Sequence, residues 1–145
     1  MSSEQPRTGQ CLCGSVRITA EPKNSHFGAC HCSQCRKWGG GPLLAAECED
    51  RVSFDGESHI ATYASSEWAE RGFCKNCGTH LFYRLKGQPF YAIPVGVFDD
   101  GQPWEFADQV FIDNKPPYYS FANTTKNLTE AQVFAQFSGD ASTES

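Results

Sequence analysis

A chain of 145 residues suffices for one ordinary core and is too short for two independent ones. Hydrophobic residues at 39% and aromatics at 13% exclude global disorder, and no stretch approaches the roughly 18–20 apolar residues of a membrane-spanning helix. Twelve Lys and Arg against 17 Asp and Glu leave a net charge of −5, which argues against a nucleic acid partner, because a phosphate-binding face needs clustered positive charge.

Met1 to Gly9 is polar, with no apolar run behind a basic start, so it lacks the makings of a secretory signal. A cytoplasmic, reducing setting is expected. Residues 1–8 read as a flexible N-terminus, 9–137 as a single metal-binding domain, and the small, acidic stretch 138–145 as a mobile tail. In a reducing compartment eight cysteines, at positions 11, 13, 30, 32, 35, 48, 74 and 77, read as metal ligands before they read as disulfides.

In chain order, Val16, Ile18 and Ala20 alternate with Arg17 and Thr19, the period of a half-buried strand, and Glu21 to Ser25 then turns the chain. Strand-length runs follow at Leu43–Cys48, Val52–Phe54, His59–Ala64, His80–Leu85, Phe90–Phe98 and Gln109–Asp113. Asp55-Gly56, Gly87-Gln88-Pro89 and Asp99 to Pro103 separate them as breaker clusters suited to hairpins. These features predict a mainly β, antiparallel fold. One short C-terminal helix is expected at Thr129–Phe137, with Thr129 as N-cap, Gln132 at the capping-box position, and Val133, Phe134 and Phe137 on one face. Asn123-Thr124-Thr125 and Asn127-Leu128-Thr129 match glycosylation acceptors but read as turn residues in a chain without a secretory signal.

The cysteines fall into two constellations. On an extended strand Cys11 and Cys13 would project to the same side, and Cys74-Lys75-Asn76-Cys77-Gly78 has the spacing of a zinc knuckle, so the two pairs together make four sulfurs. Four thiolates fill a tetrahedron, which defines a structural site. Cys30-His31-Cys32-Ser33-Gln34-Cys35 packs three further sulfurs into six residues of one loop. Three ligands and one open position are the pattern of catalytic zinc. The competing readings are free buried cysteines, a disulfide framework, an iron–sulfur centre, or two closed sites with His31, Cys48 or His80 completing the second; Cys11 and Cys13 could also join another pair. Cys48, at the end of an apolar run, reads as core.

Taken together, Cys11-Leu12-Cys13-Gly14-Ser15-Val16, Cys30 to Trp38, and Arg71-Gly72-Phe73-Cys74-Lys75-Asn76-Cys77-Gly78-Thr79 resemble the glutathione-dependent formaldehyde-activating enzyme domain, which is shared with centromere protein V. The resemblance runs from about Gln10 to Asp100, with seven cysteines in register. It implies several small antiparallel sheets of β-tent type, a structural zinc on Cys11, Cys13, Cys74 and Cys77, and a catalytic-type zinc on Cys30, Cys32 and Cys35, two zincs per chain. The implied activity is that of a zinc-dependent carbon–sulfur lyase acting on glutathione adducts of formaldehyde or a related small aldehyde. Two alternatives stand beside it: an enzyme of the same family using another electrophile without glutathione, and a non-catalytic zinc-stabilised interaction module.

Zinc on three thiolates would carry a net negative charge, so an anionic thiol such as glutathione calls for cations nearby. Arg36 and Lys37 follow the second cluster and Arg71 precedes the knuckle, which makes them the candidate substrate-binding cations, and Trp38 could supply a stacking wall. His31, pinned between two ligands, is a candidate proton shuttle or fourth ligand. His26, His59 and His80 have no ligand spacing and read as structural. A small-molecule substrate is expected, with no membrane partner; no residue pattern sets an oligomeric state.

Overall fold

The computed structural model describes residues 6–99 and 101–137; the expected mobile tail, 138–145, lies outside them. In chain order the elements are β1 (Arg7–Gln10), β2 (Arg17–Ala20), β3 (His26–Cys30), α1 (Ser33–Gly39), β4 (Leu43–Glu47), β5 (Val52–Asp55) and β6 (Ile60–Tyr63). They continue as β7 (Ala69–Cys74), β8 (His80–Leu85), β9 (Tyr91–Pro94), β10 (Glu105–Val110), β11 (Lys126–Leu128) and α2 (Glu130–Phe137). The described residues form two compact units, one from residues 6–26, 45–99 and 101–105, the other from residues 27–44 and 106–137.

In the first unit β1, β2 and β5 make a three-stranded antiparallel sheet. The order β4-β9-β8-β7-β6 makes a second, also antiparallel. The alternation in β2 holds: Val16, Ile18 and Ala20 are buried while Arg17 and Thr19 face solvent. They join Cys11, Cys48, Cys74, Leu81, Phe82, Ile93 and Phe98 in one apolar core, in which the rings of Phe54, Phe82 and Tyr91 meet at 5.3–6.1 Å.

β1 departs from the sequence reading, because Arg7 and Thr8, expected in a flexible start, pair with Ala20 and Thr19. Arg7 is only 3% exposed. Its guanidinium stacks on Trp104 at 3.7 Å and donates to the carbonyls of Gln102 and Pro103, so long-range partners make a polar strand worth burying. The run Phe90–Phe98 is also shorter than expected: β9 ends at Pro94 and a 3-10 turn, Val95–Val97, follows.

In the second unit the strand order is β11-β10-β3, with Phe27 stacked on Phe106 at 5.0 Å and Phe106 edge-on to Phe121. β10 and β11 pair in parallel, an exception to the antiparallel expectation. β10 ends at Val110 rather than Asp113, because Phe111 takes a left-handed backbone (φ 55°) and opens a 3-10 turn at Ile112–Asn114.

α2 has the predicted start. Thr129 Oγ1 accepts from the Gln132 N–H at 3.2 Å, and Gln132 Oε1 accepts from the Thr129 N–H at 2.8 Å, a reciprocal capping box. Val133 is buried, while Phe134 is half-exposed against the ring of Phe111; the side chain of Phe137 lies outside the description. α1 is a helix where a loop was expected. Among the described residues, no helix is long and apolar enough to cross a membrane.

Candidate metal centres

The first unit builds a four-sulfur cluster from two knuckles with the same local plan. In the first, the Cys11 N–H donates to the Val16 carbonyl at 3.0 Å and the Gly14 N–H to the Cys11 carbonyl at 3.1 Å. In the second, the Cys74 N–H donates to the Thr79 carbonyl at 2.9 Å and the Gly78 N–H to the Cys74 carbonyl at 2.8 Å. Each turn closes on a glycine in the left-handed region, Gly14 at φ 83° and Gly78 at φ 82°, where a side chain would be strained. Cys11-Leu12-Cys13 is therefore a turn and not the extended strand that its spacing suggested, because the hairpin between β1 and β2 reverses there.

The sulfurs of Cys11, Cys13, Cys74 and Cys77 converge within 4.8 Å of one another, with Cys11 to Cys13 at 3.7 Å and Cys13 to Cys74 at 3.8 Å. Zinc bonded to four sulfurs at about 2.3 Å has tetrahedral edges of about 3.8 Å, so the donor set fits that ion. Backbone N–H groups also face the sulfurs, from Val16 to Cys11 and from Asn76 to Cys74, both at 3.3 Å. Such bonds favour the thiolates that a metal requires. The Thr79 hydroxyl, 3.2 Å from Cys77 Sγ, pulls the Cys77 thiol down to about 5. Hydrogen bonding from Ser15 lowers Cys13, whereas burial raises Cys74.

The second unit holds Cys30, Cys32 and Cys35, whose sulfurs also lie within 4.8 Å of one another. Cys30 ends β3, Cys32 is the N-cap of α1, and Cys35 is in its first turn. The Cys32 sulfur accepts from the Cys35 N–H at 3.4 Å, so a cysteine does the work usually given to serine or aspartate. Hydrogen bonding with Cys32 and Cys35, and then burial, push the Cys30 thiol strongly up. Three sulfurs this close resist joint ionisation until a cation arrives. That donor chemistry fits a soft divalent metal. Among the described residues no fourth His, Cys, Asp or Glu joins the cluster.

His31 lies outside that sulfur set. Its imidazole is fully buried, with Nδ1 2.8 Å from the Tyr119 hydroxyl and Nε2 2.8 Å from Gln109 Oε1, so both nitrogens are engaged away from the cysteines. Burial lowers its pKa, and the positive charges of Lys115 and Arg36 add to the shift. Arg36 is half-buried, its Nε donating to the His31 carbonyl at 2.9 Å; Lys37 is exposed and Trp38 half-buried on α1. Arg71 is not a surface cation: it is 3% exposed in β7 of the first unit, with its guanidinium over the Tyr83 ring at 4.8 Å.

Gln109, Lys115 and Tyr119 were not singled out by sequence reasoning, because 78 and 88 residues separate His31 from Gln109 and Tyr119. Lys115 pins the Tyr119 segment by donating to the carbonyls of Pro116 and Tyr119. Cys48 is wholly buried in the core, its thiol pushed up to about 12 by burial, and none of the eight cysteines is in a disulfide.

A mainly β chain with a four-cysteine cluster in one unit and a three-cysteine cluster in the other, each able to hold a metal ion, defines a class of protein with two cysteine clusters. The chain belongs to the glutathione-dependent formaldehyde-activating enzyme family, whose model matches residues 6–114. It is 38% identical over 126 residues to an uncharacterized lyase of Schizosaccharomyces pombe, covering 86% of this chain and 92% of that protein. A Podospora anserina protein provisionally named as a glutathione-dependent formaldehyde-activating enzyme is 36% identical over 92 residues, 59% of this chain and 43% of its own length. A similarly named Halomonas elongata protein is 32% identical over 83 residues, covering 51% of this chain and 53% of that protein. The chain thus matches about half the length of those two relatives. A crystal structure of a Rhodobacter sphaeroides protein superposes with a TM-score of 0.57 at 26% identity, over 66% of this chain and 91% of the other.

Proposed function

We propose that the chain is a zinc-dependent carbon–sulfur lyase that handles the adduct of glutathione with formaldehyde or a related small aldehyde. The observation that carries this reading is the set of three sulfurs from Cys30, Cys32 and Cys35, which no fourth His, Cys, Asp or Glu joins among the described residues. Zinc bound there supplies an open coordination position that keeps an incoming thiol deprotonated at neutral pH.

The reaction adds a thiol across a carbonyl. Sulfur bonds to the aldehyde carbon, and the thiol proton ends on the former carbonyl oxygen; the reverse elimination is the lyase direction. α1 gives the site a rigid edge, so sulfur and aldehyde carbon meet in a fixed orientation rather than by free collision. Arg36 and Lys37 offer positive charge to the carboxylates of an anionic thiol, and Lys115 adds to the positive field felt at His31. Family membership and the relatives' names support the lyase assignment.

The test is native mass spectrometry of purified protein titrated with millimolar glutathione, followed by an assay of S-hydroxymethylglutathione formation. Two zincs per chain and a glutathione adduct are expected, with one zinc and the adduct lost together in Cys32→Ser. Two zincs with neither adduct nor product would overturn the glutathione assignment and leave the other electrophiles of the family to be screened.

A further inference from the structure

The side chain of His31 faces away from the sulfurs into a string of polar groups that runs from the buried imidazole through Gln109 and Thr125 to the exposed Asn127. The direction of that string follows from donor counting. Thr125 has one hydroxyl proton and gives it to Asn127 Oδ1 at 2.6 Å. Its oxygen can then only accept from Gln109 Nε2, at 3.0 Å. The other end of the amide, Oε1, is an acceptor only, so the His31 Nε2 facing it at 2.8 Å carries the ring proton. His31 Nδ1 then has a free lone pair, into which the Tyr119 hydroxyl donates at 2.8 Å.

The backbone of His31 is engaged as well: its N–H donates to the Val110 carbonyl at 3.2 Å, and its carbonyl accepts from Arg36 Nε at 2.9 Å. All four polar groups of a fully buried residue are thus bonded, and the Tyr119 ring stacks on the imidazole at 5.5 Å with 28° between planes. The peptide carrying that ring joins Cys30 to Cys32. Any shift of His31 therefore moves two of the three sulfurs.

We propose that Gln109 and Tyr119 are positioning residues for the three-cysteine site: they clamp His31 as its Nε2–H tautomer and so hold the Cys30–Cys32 sulfurs in metal-binding geometry. The proposal rests on the reading of that cluster as a metal site. Tyr119, Thr125 and Asn127 lie beyond residues 6–114, the span that the family model matches. Groups hydrogen-bonded directly to metal ligands typically contribute 10–100-fold to metal affinity, which sets the scale for a clamp on the peptide between two of them.

The test uses the full chain with Zn2+ and Co2+ as probes and compares wild type with Gln109→Leu, Tyr119→Phe and Gln109→Glu. Competition with a chromophoric chelator should show a loss of about 10–100-fold in affinity at the second site in Gln109→Leu, with the four-cysteine site unchanged as an internal control of folding. Gln109→Glu keeps an acceptor facing Nε2 and should retain most of that affinity, which a mere packing role would not distinguish. Thiolate-to-cobalt absorption from the three-cysteine site should change in Tyr119→Phe, which keeps the ring and loses only the hydroxyl. Nitrogen-15 NMR of His31 in the wild type should report the Nε2–H tautomer. An Nδ1–H tautomer, or second-site affinity unchanged in both Gln109→Leu and Tyr119→Phe, would overturn the clamp. A single metal equivalent in wild type would overturn the metal reading itself and the clamp with it.

Discussion

The backbone N–H of Leu12 donates to the hydroxyl of Thr79 at 3.0 Å, tying the tip of one cysteine knuckle to the residue that closes the other. The same hydroxyl sits 3.2 Å from Cys77 Sγ. Thr79 therefore acts on the four-cysteine cluster twice, once through knuckle geometry and once through the charge state of Cys77.

Thr79→Val should weaken that cluster most at acid pH. Metal binds the thiolate, and the Cys77 thiol is pulled down to about 5 chiefly by Thr79, so wild type should keep this ligand ionised until the pH falls toward that value. Without the hydroxyl the thiol pKa rises, protons compete from a higher pH, and the midpoint of metal loss moves up. Chelator competition at a series of pH values checks the shift, with a loss of about 10–100-fold at neutral pH as the expected scale.

Removing a ligand should cost much more stability in one cluster than in the other. Ligation by Cys11 and Cys77 closes a long segment of the unfolded chain, whereas ligation within Cys30–Cys35 closes six residues. The entropy removed from the unfolded state grows with the closed loop; the corresponding cross-link scale is about 3 kcal/mol for a 15-residue loop and more for longer ones. Cys74→Ser should lower the melting temperature by roughly 10 °C or more, and Cys32→Ser by far less. Equal effects in calorimetry would show that the three-cysteine site also carries the fold.

Cys48 should be chemically silent. It is wholly buried, and burial pushes its thiol up to about 12, so almost no thiolate exists at pH 8 for an alkylating agent to meet. Mass spectrometry after iodoacetamide treatment of the native, metal-loaded protein should find this position unlabelled, and labelled only after unfolding. Cys48→Ser should cost about 1–3 kcal/mol by placing a hydroxyl in the core, with activity per folded molecule unchanged.

What could be read ahead of the structure was local. Cysteine spacing groups Cys30, Cys32 and Cys35 because all three lie within six residues, and Val16, Ile18 and Ala20 declare a strand because alternation needs no partner. β1 was missed because Arg7-Thr8-Gly9-Gln10 is polar and its burial depends on Trp104, almost a hundred residues away. α1 was missed because a seven-residue helix capped by a cysteine carries no usual N-cap signal. The environment of His31 is invisible in sequence for the same reason as β1: Gln109 and Tyr119 reach it only through the tertiary fold.

Arg36 and Lys37 should separate under mutation, although they are neighbours on α1. Lys37 is exposed, so Lys37→Ala should raise KM for an anionic thiol modestly, and the effect should fade as salt screens the charge. Arg36 is half-buried and donates to the His31 carbonyl at 2.9 Å, so Arg36→Ala removes a cation and also releases the peptide between two sulfur donors. It should therefore raise KM, lower metal affinity at the second site, and resist rescue by low salt. Arg36→Lys should restore the charge but not the bond, because an ammonium on a flexible stem does not reproduce the guanidinium Nε. Metal affinity and KM measured side by side on the three variants at two ionic strengths check this, and an Arg36→Ala variant indistinguishable from Lys37→Ala would mean that Arg36 acts through charge alone.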